Sequence, residues 1–381
     1  MLKKSKSKRK RSTKITKIDS SKRLTFIYPP TIEWDYKCFQ RPHQLFRAFA
    51  RQGHKAYFVD RNPFSDQPLQ EIVELEPNLF IVPESHIDQI PKANKNVVLY
   101  NTHPPTINEY RNTFGNSLVW FDYMDESVDE FSPYAAQNEM AMKEADIVVT
   151  TSERLFLIAK SKNKNSVLAR NGADIEHFAN VPTIPDSVRE VLPKDKPIVG
   201  FFGAIQSWID FDLIEEIAKK RPEYNFVLIG PDYIGTSSER FKPYSNIHLL
   251  GYIPYRDLNQ YTPFFHVGFI PFQVREMTKS SNPIKMYEYL AAGLPVVSTD
   301  LPEVRVYSDV TYTASNIDEL AILLDKAVRE RFDTNLIEKR KEVARLNSWD
   351  ARAKTIIDFI YGGSTHEKTK INRNDARKKR G

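Results

Sequence analysis

Short apolar runs alternate with helical segments along most of this chain, and the alternation stops once and then restarts. In the first half Leu24 to Tyr28, Tyr57 to Val59, Phe80 to Val82, Val97 to Tyr100, Leu118 to Phe121 and Ile147 to Thr150 read as strands, with helices opening near Gln40, Glu139 and Ser152. Ile198 to Phe202 begins a second series, in which Phe226 to Ile229, Ile247 to Leu250 and Val267 to Pro271 are strands and Phe211 to Lys220 is a helix. Strands joined through helices pair in parallel, because a parallel neighbour needs a long crossover. The fold class is therefore α/β, with two doubly wound domains.

The 381 residues are enough for two such cores. Ordered structure is expected from about Arg23, giving an N-terminal domain over 23–180 and a linker at 181–196, where Pro182, Pro185 and Pro193 fall among charged residues. A second domain over 197–345 and a last helix within 346–362 follow, with tails at 1–22 and 363–381. A sequence pI near 9 suggests a nucleic-acid protein until the charges are located. Residues 1–17 hold nine Lys and Arg and no acid, and residues 366–381 hold seven against Glu367 and Asp375. Without those 16 bases and two acids, the totals of 55 and 49 become 39 and 47, so the body carries a net charge of −8.

The basic character thus belongs to the tails, which read as solvated segments able to attach to an anionic membrane surface. No aromatic-interleaved basic motif in the body supports specific nucleic-acid binding. The N-terminal run has no apolar stretch behind it and no window reaches the length of a membrane span, so a cytoplasmic protein, peripheral at the inner face of the membrane through its tails, is the expectation. Cys38 is the single cysteine, which rules out a disulfide framework and a cysteine-rich zinc site. No metal site is expected: Asp210-Phe211-Asp212 has suitable spacing but opens a helix, where carboxylates act as caps.

The densest chemistry lies at Ser280 to Ser298, SSNPIKMYEYLAAGLPVVS. Asn282 reads as an N-cap and Pro283 as the first helical residue, Gly293 offers a left-handed stop, and Val296-Val297-Ser298 starts a buried strand. A helix N-terminus is a seat for phosphate, so Ser281 and Asn282 are candidate ligands. Lys285 in the first turn is disfavoured by the helix dipole unless an anion sits there. Glu288 shares its face about one turn on, at roughly 5 Å along the axis, where a ribose diol would lie beside a diphosphate. The plainer alternative is a solvated i,i+3 pair.

Pro283, Lys285, Glu288, Tyr289, Ala291, Gly293, Pro295, Val296 and Val297 together resemble the C-terminal nucleotide-binding signature of GT-B glycosyltransferases. Two further segments carry the likeness: Asn171, Gly172, Asp174 and Phe178 resemble the family's crossover between domains, and QRPHQLFRAFARQGHKAYFVD resembles bacterial cell-surface polysaccharide glycosyltransferases of the teichuronic-acid type. The resemblance spans residues 24 to 361 and implies two Rossmann-like domains facing a central cleft, with the C-terminal helix crossing back to the first domain. It implies a nucleotide-sugar donor, taken as a UDP-sugar, on the second domain, with no further cofactor. Gly203 would then allow a close turn toward phosphate, and Tyr252 and Ile253 would touch the nucleobase. The acceptor, a cell-envelope glycan or lipid-linked sugar, would lie on the first domain, with Arg41 and His43 at the cleft.

Transfer to a hydroxyl needs a base, and carboxylates at strand ends can serve. Asp125, Asp122 and then His103 are the candidates, although Asp after a strand is also an ordinary cap or turn residue. Two departures from the family stand out. Ser280 occupies the position of the first carboxylate of Glu-x7-Glu, and Gln206-Ser207-Trp208 replaces the usual Arg and Lys. Lys285 would then face the diphosphate largely alone, with Arg275 or Lys279 as possible helpers. A non-catalytic glycan-binding or assembly protein on the same fold is the competing reading.

Overall fold

A computed structural model describes residues 18–362, apart from 62–68, 92–95, 116 and 182. The two basic runs at the termini lie outside the described residues, as does Pro182.

Eight strands form the first sheet: β1 (Thr25–Tyr28), β2 (Lys55–Asp60), β3 (Val73–Glu76), β4 (Leu79–Pro83), β5 (Val97–Asn101), β6 (Leu118–Tyr123), β7 (Ile147–Thr150) and β8 (Ser166–Leu168). Their order is β3-β4-β2-β1-β5-β6-β7-β8, parallel except for the edge strand β3. The second sheet has six parallel strands, β9 (Ile198–Phe202), β10 (Asn225–Ile229), β11 (Ile247–Gly251), β12 (Phe265–Ile270), β13 (Val296–Thr299) and β14 (Thr311–Ala314), in the order β11-β10-β9-β12-β13-β14. In both sheets the winding reverses beside the first strand, at β1/β5 and β9/β12. Such switch points open a crevice at the carboxyl ends of the strands. Nearly every residue of β5, β6, β9 and β10 is buried, as parallel strands covered on both faces require.

One apolar cluster fills the second domain, and two others cover the two faces of the first sheet. The last helix, Trp349–Ile360, packs Trp349, Ala353, Ile356 and Ile360 into the first domain's core beside the helix Arg41–Arg51. The stretch 181–196 differs from the linker reading. Residues Asp186–Val191 are a helix, and Val188, Leu192 and the preceding Phe178 sit in the second core. Apolar side chains at the right spacing outweigh the prolines, so the second domain begins directly after the crossover. β3 and β14 escape sequence reading because each is a four-residue edge strand, and β3, VELE, carries two acids.

Candidate active site between the domains

A cavity of about 440 Å³ lies between the carboxyl ends of the two sheets. Its second-domain wall includes Gly203, Gly230, Tyr252, Ile253, Ser281, Asn282, Lys285 and Glu288, and its first-domain wall includes Lys37, Cys38, Arg41 and Asp125.

The helix behind Lys285 runs over Ile284–Ala291, one residue later than its sequence suggests, with Pro283 at the cap. Asn282 is drawn elsewhere. Its Oδ1 accepts from the backbone N–H of Asn171 at 2.9 Å, and its Nδ2 donates to Glu303 at 3.0 Å and to the Tyr287 hydroxyl at 3.1 Å. The residue therefore joins the crossover to the second-domain wall and leaves the helix N-terminus open to the cavity. Tyr289, one turn beyond Lys285, is fully buried and accepts from the N–H of Phe202 at 3.0 Å, which pins the end of β9. Gly293 has φ +75 and closes the helix.

Lys285 is half-buried, with its ammonium 5.1 Å from the Phe201 ring centre and 4.8 Å from that of Phe272. Among the described residues no carboxylate comes within ion-pairing reach of it. Burial pushes its pKa down to about 8, against the pull of Glu288. Gly203 has φ +135, and a Cβ there would stand 3.0 Å from the Lys285 Cε, so only glycine leaves the lysine its place. A Cβ on Gly230 would meet the Gly203 carbonyl at 1.9 Å, so β9 and β10 approach one another bare at this point. Glu288 is 4% exposed, and burial pushes its carboxyl up to about 8, opposed by Lys285 and the nearby Tyr255 hydroxyl. This wall offers a cation, open helix N–H groups and a carboxyl one turn apart.

On the opposite wall Asp125 is exposed to the cavity, and its carboxyl is pushed up to about 6 by desolvation first and then by Asp122 and Glu130. Asp122 is almost fully buried and occupied. Arg41 Nε donates to it at 2.6 Å and the Tyr100 hydroxyl at 2.6 Å. Arg41 also donates through Nη1 to the Arg170 carbonyl at 3.2 Å and to Asn171 Oδ1 at 3.1 Å, which ties the first helix to the crossover. Its carboxylate partner is thus Asp122.

His43 stands away from the cavity. Its Nδ1 accepts from the N–H of Gln40 at 3.0 Å, its Nε2 donates to the Glu33 carbonyl at 2.9 Å, and burial pushes its pKa down to about 4. It caps a helix inside an aromatic cluster of Trp34, Phe39 and Phe58. His103 lines a second, smaller chamber next to Asp125. Arg275 and Lys279 are paired with Glu130 at 2.6 Å and Glu276 at 2.8 Å, and neither lines the cavity. Asp210 caps the helix Phe211–Lys220 by accepting from the N–H of Leu213, and Asp212 pairs with Arg240. Sequence reading misses Lys37, Tyr255 and the rings of Phe201 and Phe272, since only folding brings these separated segments to Lys285 and Glu288.

Comparison with known proteins now bears on this geometry. Residues 196–328 match the model of the family described as glycosyl transferases group 1. The putative teichuronic acid biosynthesis glycosyltransferase TuaH of Bacillus subtilis is 27% identical over 196 residues, which span 50% of this chain and 49% of that protein. Two solved structures superpose across the whole of the described molecule. Sucrose-phosphate synthase from Thermosynechococcus elongatus does so at a TM-score of 0.65 and 15% identity, covering 88% of this chain and 97% of its own. Anabaena HepE, solved in complex with UDP and glucose, does so at 0.66 and 14%, covering 88% and 99%. This chain has the GT-B fold, and its second domain is similar to the glycosyl transferases group 1 family. In this GT-B chain Ser280, at the position of the family's first carboxylate, is fully buried and turns its hydroxyl to the Met277 carbonyl at 2.8 Å. Trp208 lines the cavity where an Arg or Lys is usual, while Ser207 faces Glu130.

Proposed function

We propose that the protein is a glycosyltransferase that moves a sugar from a nucleoside diphosphate donor, a UDP-sugar, to a hydroxyl of a cell-envelope glycan. The observation that carries this reading is the Lys285 ammonium, without an ion-pairing carboxylate among the described residues and set at an open helix N-terminus one turn before Glu288. The base would rest near Tyr252 and Ile253, the ribose diol on Glu288 and the diphosphate on Lys285 and the helix N–H groups. Asp125 faces this donor from the other domain. It takes the proton of the acceptor hydroxyl as that oxygen bonds to the anomeric carbon, and the bond to the diphosphate breaks toward Lys285. Enclosure between the domains keeps water from competing. The solved relative with UDP and the polysaccharide-related curated relative support the choice of donor and acceptor class.

Calorimetric titration with UDP, GDP, ADP and TDP tests the donor site. UDP is expected to bind best, and Glu288→Ala, which removes a hydrogen-bonding carboxyl worth about 0.5–1.5 kcal/mol, should weaken it roughly two- to tenfold. No binding by any nucleotide would leave the non-catalytic reading standing. The same proposal places the protein at a membrane surface through its basic tails, each Lys or Arg contributing on the order of 1 kcal/mol at an anionic leaflet. Removal of residues 1–17 and 366–381 should abolish salt-sensitive co-sedimentation with anionic vesicles while UDP binding is kept.

A further inference from the structure

The second chamber, about 220 Å³, opens on the first domain and meets the main cavity at Met124, Asp125 and Phe131. The two compartments differ in charge. Lys37, Arg41 and Lys285 line the main cavity, whereas among the described residues no Lys or Arg lines the second chamber. Arg61, a neighbour of the lining residue His103, is paired with Glu84 at 3.1 Å. Two carboxylates, Asp122 and Asp125, stand in its wall. Asp122 is paired with Arg41 behind that wall, so a phosphate or uronate inside would meet the Asp125 carboxylate with no Lys or Arg among the described lining residues, an arrangement that costs rather than stabilises.

Its other lining groups suit a sugar ring. Tyr134 is 44% exposed and Phe131 half-buried, so both offer aromatic surface on the same short segment. Asn138, held by donation to Ser127 at 2.7 Å, has no partner for its side-chain carbonyl among the described residues, and the His103 ring is half-buried, its pKa lowered by burial and by Arg61. A pyranose has apolar C–H faces that an aromatic ring covers and hydroxyls that amide, imidazole and carboxylate groups can bond. Asp125 stands where the chambers join, which places a hydroxyl of that ring at the base and in line with the donor.

Resting on the glycosyltransferase reading above, we propose that the second chamber seats the terminal residue of the acceptor as an uncharged pyranose. The chain then extends a neutral glycan end and does not transfer next to a phosphate or a uronate. Tyr134 is the acceptor platform and Asn138 its specificity residue.

Ligand-observed NMR on the full chain saturated with UDP tests this with p-nitrophenyl glucoside, galactoside and N-acetylglucosaminide against p-nitrophenyl glucuronide and glucose 6-phosphate. At least one neutral glycoside is expected to bind tenfold or more tightly than both acidic ligands. Tyr134→Ala should weaken that glycoside about tenfold, Tyr134→Phe should restore it, and UDP affinity should not change in either. Asn138→Lys should narrow or reverse the preference against the acidic ligands. Preference for an acidic ligand, binding of none of the panel, or a Tyr134→Ala protein with unaltered glycoside affinity would overturn the acceptor assignment while UDP binding stands. Loss of UDP binding by the wild type would instead overturn the glycosyltransferase reading, and this inference with it.

Discussion

At the scale of single residues, two carboxylates three positions apart have been given opposite work. Asp122 receives Arg41 and Tyr100 at 2.6 Å each and is closed off as a structural pair. Asp125, three residues on, has no such partners and looks into the cavity with its proton affinity raised. A carboxyl pushed up to about 6 is a better base than a free aspartate and is still ionised at neutral pH. With Asp125 as the proposed base, whose deprotonated form takes the proton, kcat/KM should rise with pH and level off above about 6. Asp125→Asn is expected to lower kcat by about 10²–10⁴ and to flatten that acidic limb, without changing UDP affinity. A limb that persists in the mutant would assign the base elsewhere. Asp122→Asn should act differently, through loss of a buried ion pair, and should show as a fall in Tm.

At the scale of elements, the domains touch through a latch at the rim of the cavity. The turn Asp129–Tyr134 of the first domain meets the helix Glu276–Ser280 of the second, and Asp129 Oδ2 accepts from the N–H of Met277 at 3.0 Å. Arg275 pairs with Glu130 at 2.6 Å, and Arg154 bridges Glu126 at 2.6 Å and Glu276 at 2.7 Å. Asp129 does this at φ +47, a left-handed backbone that a residue other than glycine adopts at a cost. The turn also carries Phe131 and Tyr134, so the chamber proposed for the acceptor is completed by the segment that holds the domains together. Asp129→Ala removes a cap worth about 1 kcal/mol and should raise the donor KM up to about fivefold. Asp129→Asn, which keeps an acceptor, should raise it less, and salt should mimic the loss by screening the exposed pairs. A donor KM indifferent to both changes would make the latch incidental. None of this was legible in the sequence, where partners such as Asp129 and Met277 stand far apart and each looks like an ordinary polar turn. The helix at Lys285 and the strands beneath it were legible because their signals are local: period, cap, glycine and proline within twenty residues. His43 shows the limit of such reading, since its place at a helix start fits a cleft or a cap equally well. Only the depth of the aromatic cluster around it decides.

At the scale of the whole molecule, the chain passes between the domains near residues 170–174 and returns near 347–349, and the two passages are bonded to each other. The N–H of Ala173 donates to the Asn347 carbonyl at 3.2 Å, and the N–H of Trp349 donates to the Ala173 carbonyl at 3.1 Å. Arg352 adds a bond to the Asn171 carbonyl at 3.1 Å. Opening of the cleft is therefore expected to pivot about this paired crossing. Gly172 lies at the pivot, and a Cβ there would stand 2.5 Å from the Asn347 carbonyl oxygen, which is backbone and cannot swing aside. Gly172→Ala should thus pry the two passages apart at a cost of about 1–3 kcal/mol, seen as a fall of several degrees in Tm. Because Gly172 touches neither chamber, UDP should still bind. What should change is the spread of interdomain distances between spin labels at exposed Leu157 and Ile322, which UDP narrows in the wild type and should narrow less in the variant. An unchanged Tm and an unchanged distance distribution would mean that the crossing yields without strain and that the cleft opens about some other axis.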